Sequence, residues 1–141
     1  MSANNLADIE KANEAFYRAL ESNSLEMMES IWVQEEWVNC IHPGWDRLAG
    51  WKAVRESWEM IFESNQRVRA HASDVSVYRA GVFALVTCTE SITVFNEDSF
   101  DSVQAVATNI FVEREGRWLL AHHHASPIPM IVADSYSDTI Q

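Results

Sequence analysis

Glycine, proline and cysteine are scarce in this chain, at 4, 3 and 2 of 141 residues. So few glycines leave no Gly-rich loop to cradle a phosphate and no G-x-S-x-G turn to present a nucleophilic serine. Two cysteines, Cys40 and Cys88, make neither a disulfide framework nor a paired-Cys zinc signature. They suit a reducing compartment, and the expected location is cytoplasmic. Basic residues are few as well: 10 Lys plus Arg stand against 21 Asp plus Glu, for a formal charge of −11. A surface of that sign repels nucleic-acid phosphates and anionic lipid, so neither nucleic acid nor a membrane is expected as a partner. No apolar run approaches the roughly 18–20 residues of a membrane span. The start, MSANNLADIEKANEAF, lacks the basic-then-apolar order of a secretory signal. What is abundant is apolar surface. Hydrophobic residues make up 48% of the chain, which excludes bulk disorder. A length of 141 residues fits one domain.

The chain divides by period. Leu6, Ile9, Asn13, Phe16 and Leu20 recur at steps of three and four and predict a helix with those residues on one stripe, capped by Asn4 or Asn5. Glu21-Ser22-Asn23-Ser24 breaks it. Ser24 starts a second helix with Leu25, Met28 and Ile31 inward. Residues 37–41 are short and β-prone and predict a strand, ended by the turn His42-Pro43-Gly44. A loop through Trp45, Asp46 and Arg47 reaches Gly50. Trp51, Val54, Trp58, Ile61 and Phe62 then mark a third helix. After Ser64 the period falls to two, predicting strands near 67–79, 82–95, 102–114 and 117–126 joined by short polar turns. Helices first and a meander after them argue an α+β fold with the helices against one face of an antiparallel sheet. The other face then needs cover. Val106, Ile110, Val112, Trp118 and Leu120, read as alternate outward positions, predict a homodimer through the sheet.

The segments FYRALESNSLEMMESIW, the strand ending in His42-Pro43-Gly44, the helix GWKAVRESWEMIF and the hairpin ATNIFVEREGRWLLAHHHAS resemble the SnoaL-like branch of the nuclear transport factor two superfamily. The hairpin is similar also to the end of the association domain of calcium/calmodulin-dependent kinases, with Trp, then His-x-His, then Ser. The resemblance covers about residues 5–128 and leaves 129–141 as a tail. It implies a cystatin-like roll, a cone-shaped curved sheet wrapped around the N-terminal helices with an apolar pocket in its mouth. The fold hosts isomerases, dehydratases, cyclases and silent assembly modules alike. Ketosteroid isomerases in this superfamily use a carboxylate base, a Tyr and a protonated Asp. Matching motifs puts those positions on Cys40, Phe16 and Thr108 or Asn109, and Tyr17 about 100° around the helix from Phe16. None of the three groups is present, which argues against that mechanism.

Other residues can carry chemistry. In His122-His123-His124, alternation puts His122 and His124 on one sheet face and His123 on the other. The i, i+2 pair could ligate a metal or sit in structural hydrogen bonds. The resemblance implies no metal and no cofactor, and places Asn109, His123 and Ala125 toward the pocket. His42 is either a capped turn residue or a ligand contact. Glu90, mid-strand among Thr87, Cys88, Thr89 and Ser91, is either solvent-facing or a buried acid with a raised pKa. Cys40 is a nucleophile if a histidine activates it and a small hydrophobe otherwise. Trp58 and Phe62 would wall the pocket. The resulting expectation is a small apolar or aromatic ligand with a polar end. His42, Glu90 and His123 would move protons, Thr108 and Asn109 would place an oxygen, and Cys40, His122 and His124 would border the site. The competing expectation is a non-enzymatic assembly or ligand-sensing module. His42 and Glu90 as titrating partners would each have a raised pKa.

Overall fold

The amphipathic N-terminal stripe folds as α1, Leu6–Ser22, in a computed structural model that describes residues 6–129. The stripe is wider than a narrow seam: Ile9, Asn13, Phe16, Tyr17 and Ala19 are all buried, while Leu6 is exposed. A helix embraced by a curved sheet buries a broad arc, roughly 100° or more, which is enough to take in two consecutive residues. Tyr17 therefore joins Phe16 inside, contrary to the sequence expectation. The proposed cap at Asn4 or Asn5, and the tail from residue 130 onward, lie outside the described residues. Ser24 caps α2, Leu25–Glu29, by accepting from the Met27 amide at 3.1 Å.

The remaining elements are β1 (Asn39–Ile41), β2 (Leu48–Ala49), α3 (Trp51–Glu63), β3 (Arg67–Ala80), β4 (Phe83–Phe95), β5 (Phe100–Arg114) and β6 (Arg117–Pro127). They form one curved, unclosed six-stranded sheet in the order β2-β1-β6-β5-β4-β3. Two features depart from the sequence reading. The loop after Trp45 contains β2, which pairs Leu48 with Cys40. β1 lies parallel to β6, with Cys40 opposite His123, so the sheet is mixed rather than antiparallel throughout. A short strand that enters from helices and leaves into a turn carries no local signal of its partner's direction.

The four long strands match expectation closely because each hairpin announces itself. Glu115 and Gly116 both take positive φ, 52° and 80°. That is the pattern of a two-residue turn whose twist suits antiparallel strands. A bulge between Ile110 and Phe111 then breaks strict alternation. Ile110 faces His122 but Phe111 faces Leu120, so β6 carries an extra residue, Ala121. Its consequence is a correction. The bulge turns Trp118 and Leu120 into the core; Val112, on unbroken β5, keeps the face of Ile110 but is also buried, so of the five residues expected on the outer face only Val106 and Ile110 keep appreciable exposure.

Where α1 lies on the sheet, the inner face is made of small residues. Ala70, Ala84, Ala105, Ala107 and Ala125 are all buried at 2% exposure or less, in one core with Phe16 and Tyr17. Short side chains let the helix approach closely enough for its polar groups to reach the strands. Ala107→Leu is accordingly expected to overpack this contact and lower stability by about 1–3 kcal/mol, read as a shift in the urea midpoint with an unchanged slope.

Candidate functional site

The mouth of the cone holds a cleft of about 240 Å³ lined by Leu20, His42, Pro43, Trp45, Trp58, Ile61, Glu90, Ile92, Val103 and His123. Its walls are apolar, and its polar groups come from three elements. The end of β1 leads to His42, which lines the cleft just before Gly44 turns the chain at φ 83°. Glu90 stands mid-β4 between Ala72 and Ala105, small neighbours on the adjacent strands. His123 comes from β6. A larger hollow of about 440 Å³ between α1 and β3 is bordered by Glu10, Asn13, Glu14, Tyr17, Arg18 and His71. It carries the charged groups Glu10, Glu14 and Arg18 beside Ala72 and Val75, and Arg18 there is already engaged by Glu21 and the Ala70 carbonyl. The smaller cleft is the candidate site.

Glu90 is 1% exposed. The Tyr17 hydroxyl donates to its Oε2 at 2.7 Å, and among the described residues nothing bonds Oε1. Burial pushes the Glu90 carboxyl above its ordinary range, opposed in part by the Tyr17 hydrogen bond. Burial and then the Glu90 charge push the Tyr17 phenol far up, so it stays a donor. Behind this pair the network continues. Asn109 donates through Nδ2 to Asn13 Oδ1 at 2.8 Å and to the Tyr17 oxygen at 3.3 Å. Its Oδ1 accepts from His123 Nδ1 at 2.6 Å. That bond puts the His123 proton on Nδ1 and leaves Nε2 with a lone pair.

His42 is fixed in the same manner. Ser57 Oγ donates to the Val54 carbonyl at 2.7 Å and so accepts from His42 Nε2–H at 2.8 Å. This leaves His42 Nδ1 as the acceptor. Trp45 and Trp58 hold the ring edge-on at centroid distances of 4.7 and 4.6 Å. Burial lowers the His42 pKa to about 4, and lowers that of His123, whose neighbours His42, His122 and His124 add to the effect. The expected mutual rise of Glu90 and His42 is thus half overturned. No hydrogen bond joins them, and desolvation of the imidazolium decides the direction for His42.

The other expected site residues fall into three groups. Cys40 is fully buried beneath His42, its Sγ 3.8 Å from both ring nitrogens. Burial, and then Glu90, push its thiol well up. It remains a protonated hydrophobe and not an activated nucleophile. Asn109, fully buried, supports His123 from behind and is absent from the cleft wall. Phe62 stacks on Trp58 at 5.8 Å and likewise stands behind the wall. Thr108, His122 and His124 lie on the opposite sheet face from Asn109 and His123, with Thr108 opposite His124 and His122 bonded to Asn39. This placement separates them from the cleft. Sequence reasoning missed Asn13, Tyr17 and Ser57 as members of the site. A polar Asn within an apolar helical stripe was the available signal for the first.

Known proteins share this architecture. The SnoaL-like domain profile matches residues 9–131. A structure described as a candidate dehydratase of the NTF2-like family from Streptomyces avermitilis is 32% identical, covers 90% of this chain and 99% of its own, and superposes with a TM-score of 0.83. A candidate calcium/calmodulin-dependent protein kinase type II association domain from Thiobacillus denitrificans is 31% identical, covers 85% and 94%, and has a TM-score of 0.72. The F-box protein SKIP8 of Arabidopsis thaliana is 27% identical over 114 residues, which are 81% of this chain and 47% of that protein; the chain thus spans about half its length.

Two outcomes follow from the buried titratable groups. With its pKa raised, Glu90 binds a proton more tightly in the folded state than in the unfolded chain, and the carboxylate opposes folding above that pKa. Glu90→Gln keeps an acceptor for Tyr17 and removes the charge, so it is expected to raise Tm at pH 7.5, with the gain shrinking as pH falls toward 4.5. For His42 the depressed pKa means that the unfolded chain takes the proton first. Wild-type stability should therefore decline as pH falls from about 6.5 toward about 4, and the decline should be shallower in His42→Gln. Thermal melts across pH 4–8 check both.

Proposed function

The chain belongs to the SnoaL-like domain family, and from that membership and the site's geometry we propose that it binds a small, mainly apolar molecule with a polar end in the cleft between His42 and His123. The observation that carries this reading is convergence: a buried carboxyl and two tautomer-fixed neutral imidazoles meet one apolar cavity walled by Trp45, Trp58 and Ile61. Such groups suit cofactor-free proton transfer, as in isomerisation, dehydration or elimination. A neutral His123 Nε2 or His42 Nδ1 accepts a proton, and the carboxyl of Glu90, raised by burial, returns one. The description of the 32%-identical neighbour as a candidate dehydratase supports that class.

The reading is tested by a fragment screen with chemical-shift mapping, alongside Val103→Trp. Val103 lines the cleft but is 46% exposed, so a larger side chain there fills the cavity while the core is left alone. Hits should perturb Trp58 and His123 resonances in the wild type and lose at least tenfold in affinity in Val103→Trp. Hits that bind both proteins equally would place ligand binding elsewhere.

A second reading, assembly through the outer sheet face, has its own observation. Tyr78, Leu85 and Ile110 lie in one cross-strand row there, with Tyr78 67% and Leu85 40% exposed, and Val106 nearby at 52%. The resemblance to a candidate association domain supports it. The expected state is a homodimer at micromolar concentration, and Leu85→Glu should shift it to monomer by placing a charge in the row. Sedimentation velocity that shows a wild-type monomer would end this reading without touching the first. Among the described residues no helix is long and apolar enough to cross a membrane.

A further inference from the structure

Resting on the reading of the outer sheet face as a contact between copies, we propose that His122 and His124 form half of a zinc site, which a second copy of the chain completes around one shared ion. The motif is the part of the histidine run that the cleft leaves aside: only His123 among the three lines it. Alternation on β6 sets the other two side chains on the outer face, roughly 7 Å apart at the backbone. Their ring centroids are 6.3 Å apart with planes at 85°. One ion can bridge such a pair through bonds of about 2.0–2.1 Å, given a turn of the exposed His124 ring toward its neighbour. His122 is already oriented for the role. Its Nδ1 donates to Asn39 Oδ1, which fixes the tautomer and leaves Nε2 with its lone pair. An amide or carboxylate oxygen behind the second ring nitrogen is the support that metal-binding imidazoles commonly receive. Burial, and then the neighbouring His124, lower the His122 pKa, so the ring is neutral and able to ligate at pH 7.

Ligand count and position point to a shared ion. Among the described residues no third His, Cys, Asp or Glu joins the pair, and two imidazoles fill only half of a tetrahedral shell. His122 also extends the exposed row of the proposed contact: Tyr78, Leu85, Ile110 and His122 follow one another across β3, β4, β5 and β6. In a two-fold dimer, residues close to the axis meet their own copies. An axis beside His122 therefore brings two pairs together and supplies four nitrogens. A nitrogen-only set selects a late divalent ion such as zinc over magnesium or calcium, which need oxygen ligands. Charge favours the same arrangement. Each copy carries a formal −11, so two copies repel, and a divalent cation held at their contact offsets part of that repulsion.

Sedimentation velocity and calorimetric titration test this with Zn2+ as the probe, on the full chain stripped with EDTA and carrying no polyhistidine tag. One ion should bind per two chains, and Zn2+ should tighten dimerisation at least tenfold, an effect that EDTA reverses. Co2+ in its place should give the intense visible absorption of a tetrahedral shell. His124→Gln, at an exposed position outside the core, should abolish the Zn2+ effect while its metal-free sedimentation matches that of the wild type. His122→Gln should abolish the effect as well. One ion per chain with assembly unchanged, or Zn2+ binding that survives both substitutions, overturns the site. A dimer that Zn2+ leaves unmoved also overturns it, while the assembly reading stands. A chain that stays monomeric with and without Zn2+ ends both, and neither result bears on the cleft.

Discussion

The hydrogen bond from the Tyr17 hydroxyl to Glu90 ties the middle of α1 to the middle of β4, and the interior is arranged around it. A carboxyl at 1% exposure is tolerated only where a donor meets it, since an unpaired buried polar group costs about 1–3 kcal/mol or more. Tyr17 shares one core with the small residues Ala70, Ala105 and Ala107, whose short side chains leave space around that carboxyl for the phenol. The requirement then propagates. The Tyr17 oxygen takes a hydrogen bond from Asn109, Asn109 needs a donor for its own oxygen, and His123 supplies one. Asn13 closes the group from the helix side. A polar network inside an apolar core specifies one arrangement because each member is satisfied by the others and by little else.

The same network sets the protonation of the cleft. Had Glu90 and an imidazole been in contact, an ion pair would have raised the His pKa and lowered that of the carboxyl. The structure instead gives each group its own neutral partner: Tyr17 for Glu90, Asn109 for His123, Ser57 for His42. Without a counter-charge, desolvation is the largest influence on each and favours the uncharged form. The cleft therefore holds one carboxyl with raised affinity for a proton and two imidazoles with lowered affinity. Acid and base roles differ here through their environments more than through their chemical types.

Much of the fold is legible in the sequence because its signals are local. The period of α1, the Ser24 cap, the polar turns and the period-two runs each place an element without reference to distant contacts. What stays hidden depends on tertiary pairing. Nothing in Asn39–Ile41 shows that it runs parallel to β6, and nothing near Ala121 shows the bulge that buries Leu120. For the site, the facing of His123 and Asn109 against His122 and His124 follows from alternation once one register is known. Tyr17 escapes a reading that lets a single helical position represent the pocket face, whereas the curved sheet takes in two. Asn109 looks like a ligand contact by its place in the hairpin, and its hydrogen bonds exclude that role. They run to Asn13, Tyr17 and His123, and they hold it behind the cleft wall.

Alternation also explains how one domain type accommodates both a candidate dehydratase and a candidate association domain among its relatives. In β5 and β6 successive residues serve opposite faces: Asn109 and His123 point into the cone, while Thr108 and His124 pair outside it. Substitution at Asn109 or His123 alters the cleft and leaves the outer face unchanged, and substitution at Thr108 or His124 does the reverse. The two faces are chemically independent yet share one backbone, so cover on the outer row of Tyr78, Leu85 and Ile110 would hold fixed the very strands that carry Glu90, Asn109 and His123. Assembly and ligand binding, both proposed, would then not be rival uses of the sheet. Packing on one face stiffens the strands whose side chains, on the other face, must keep an imidazole and a carboxyl at set positions.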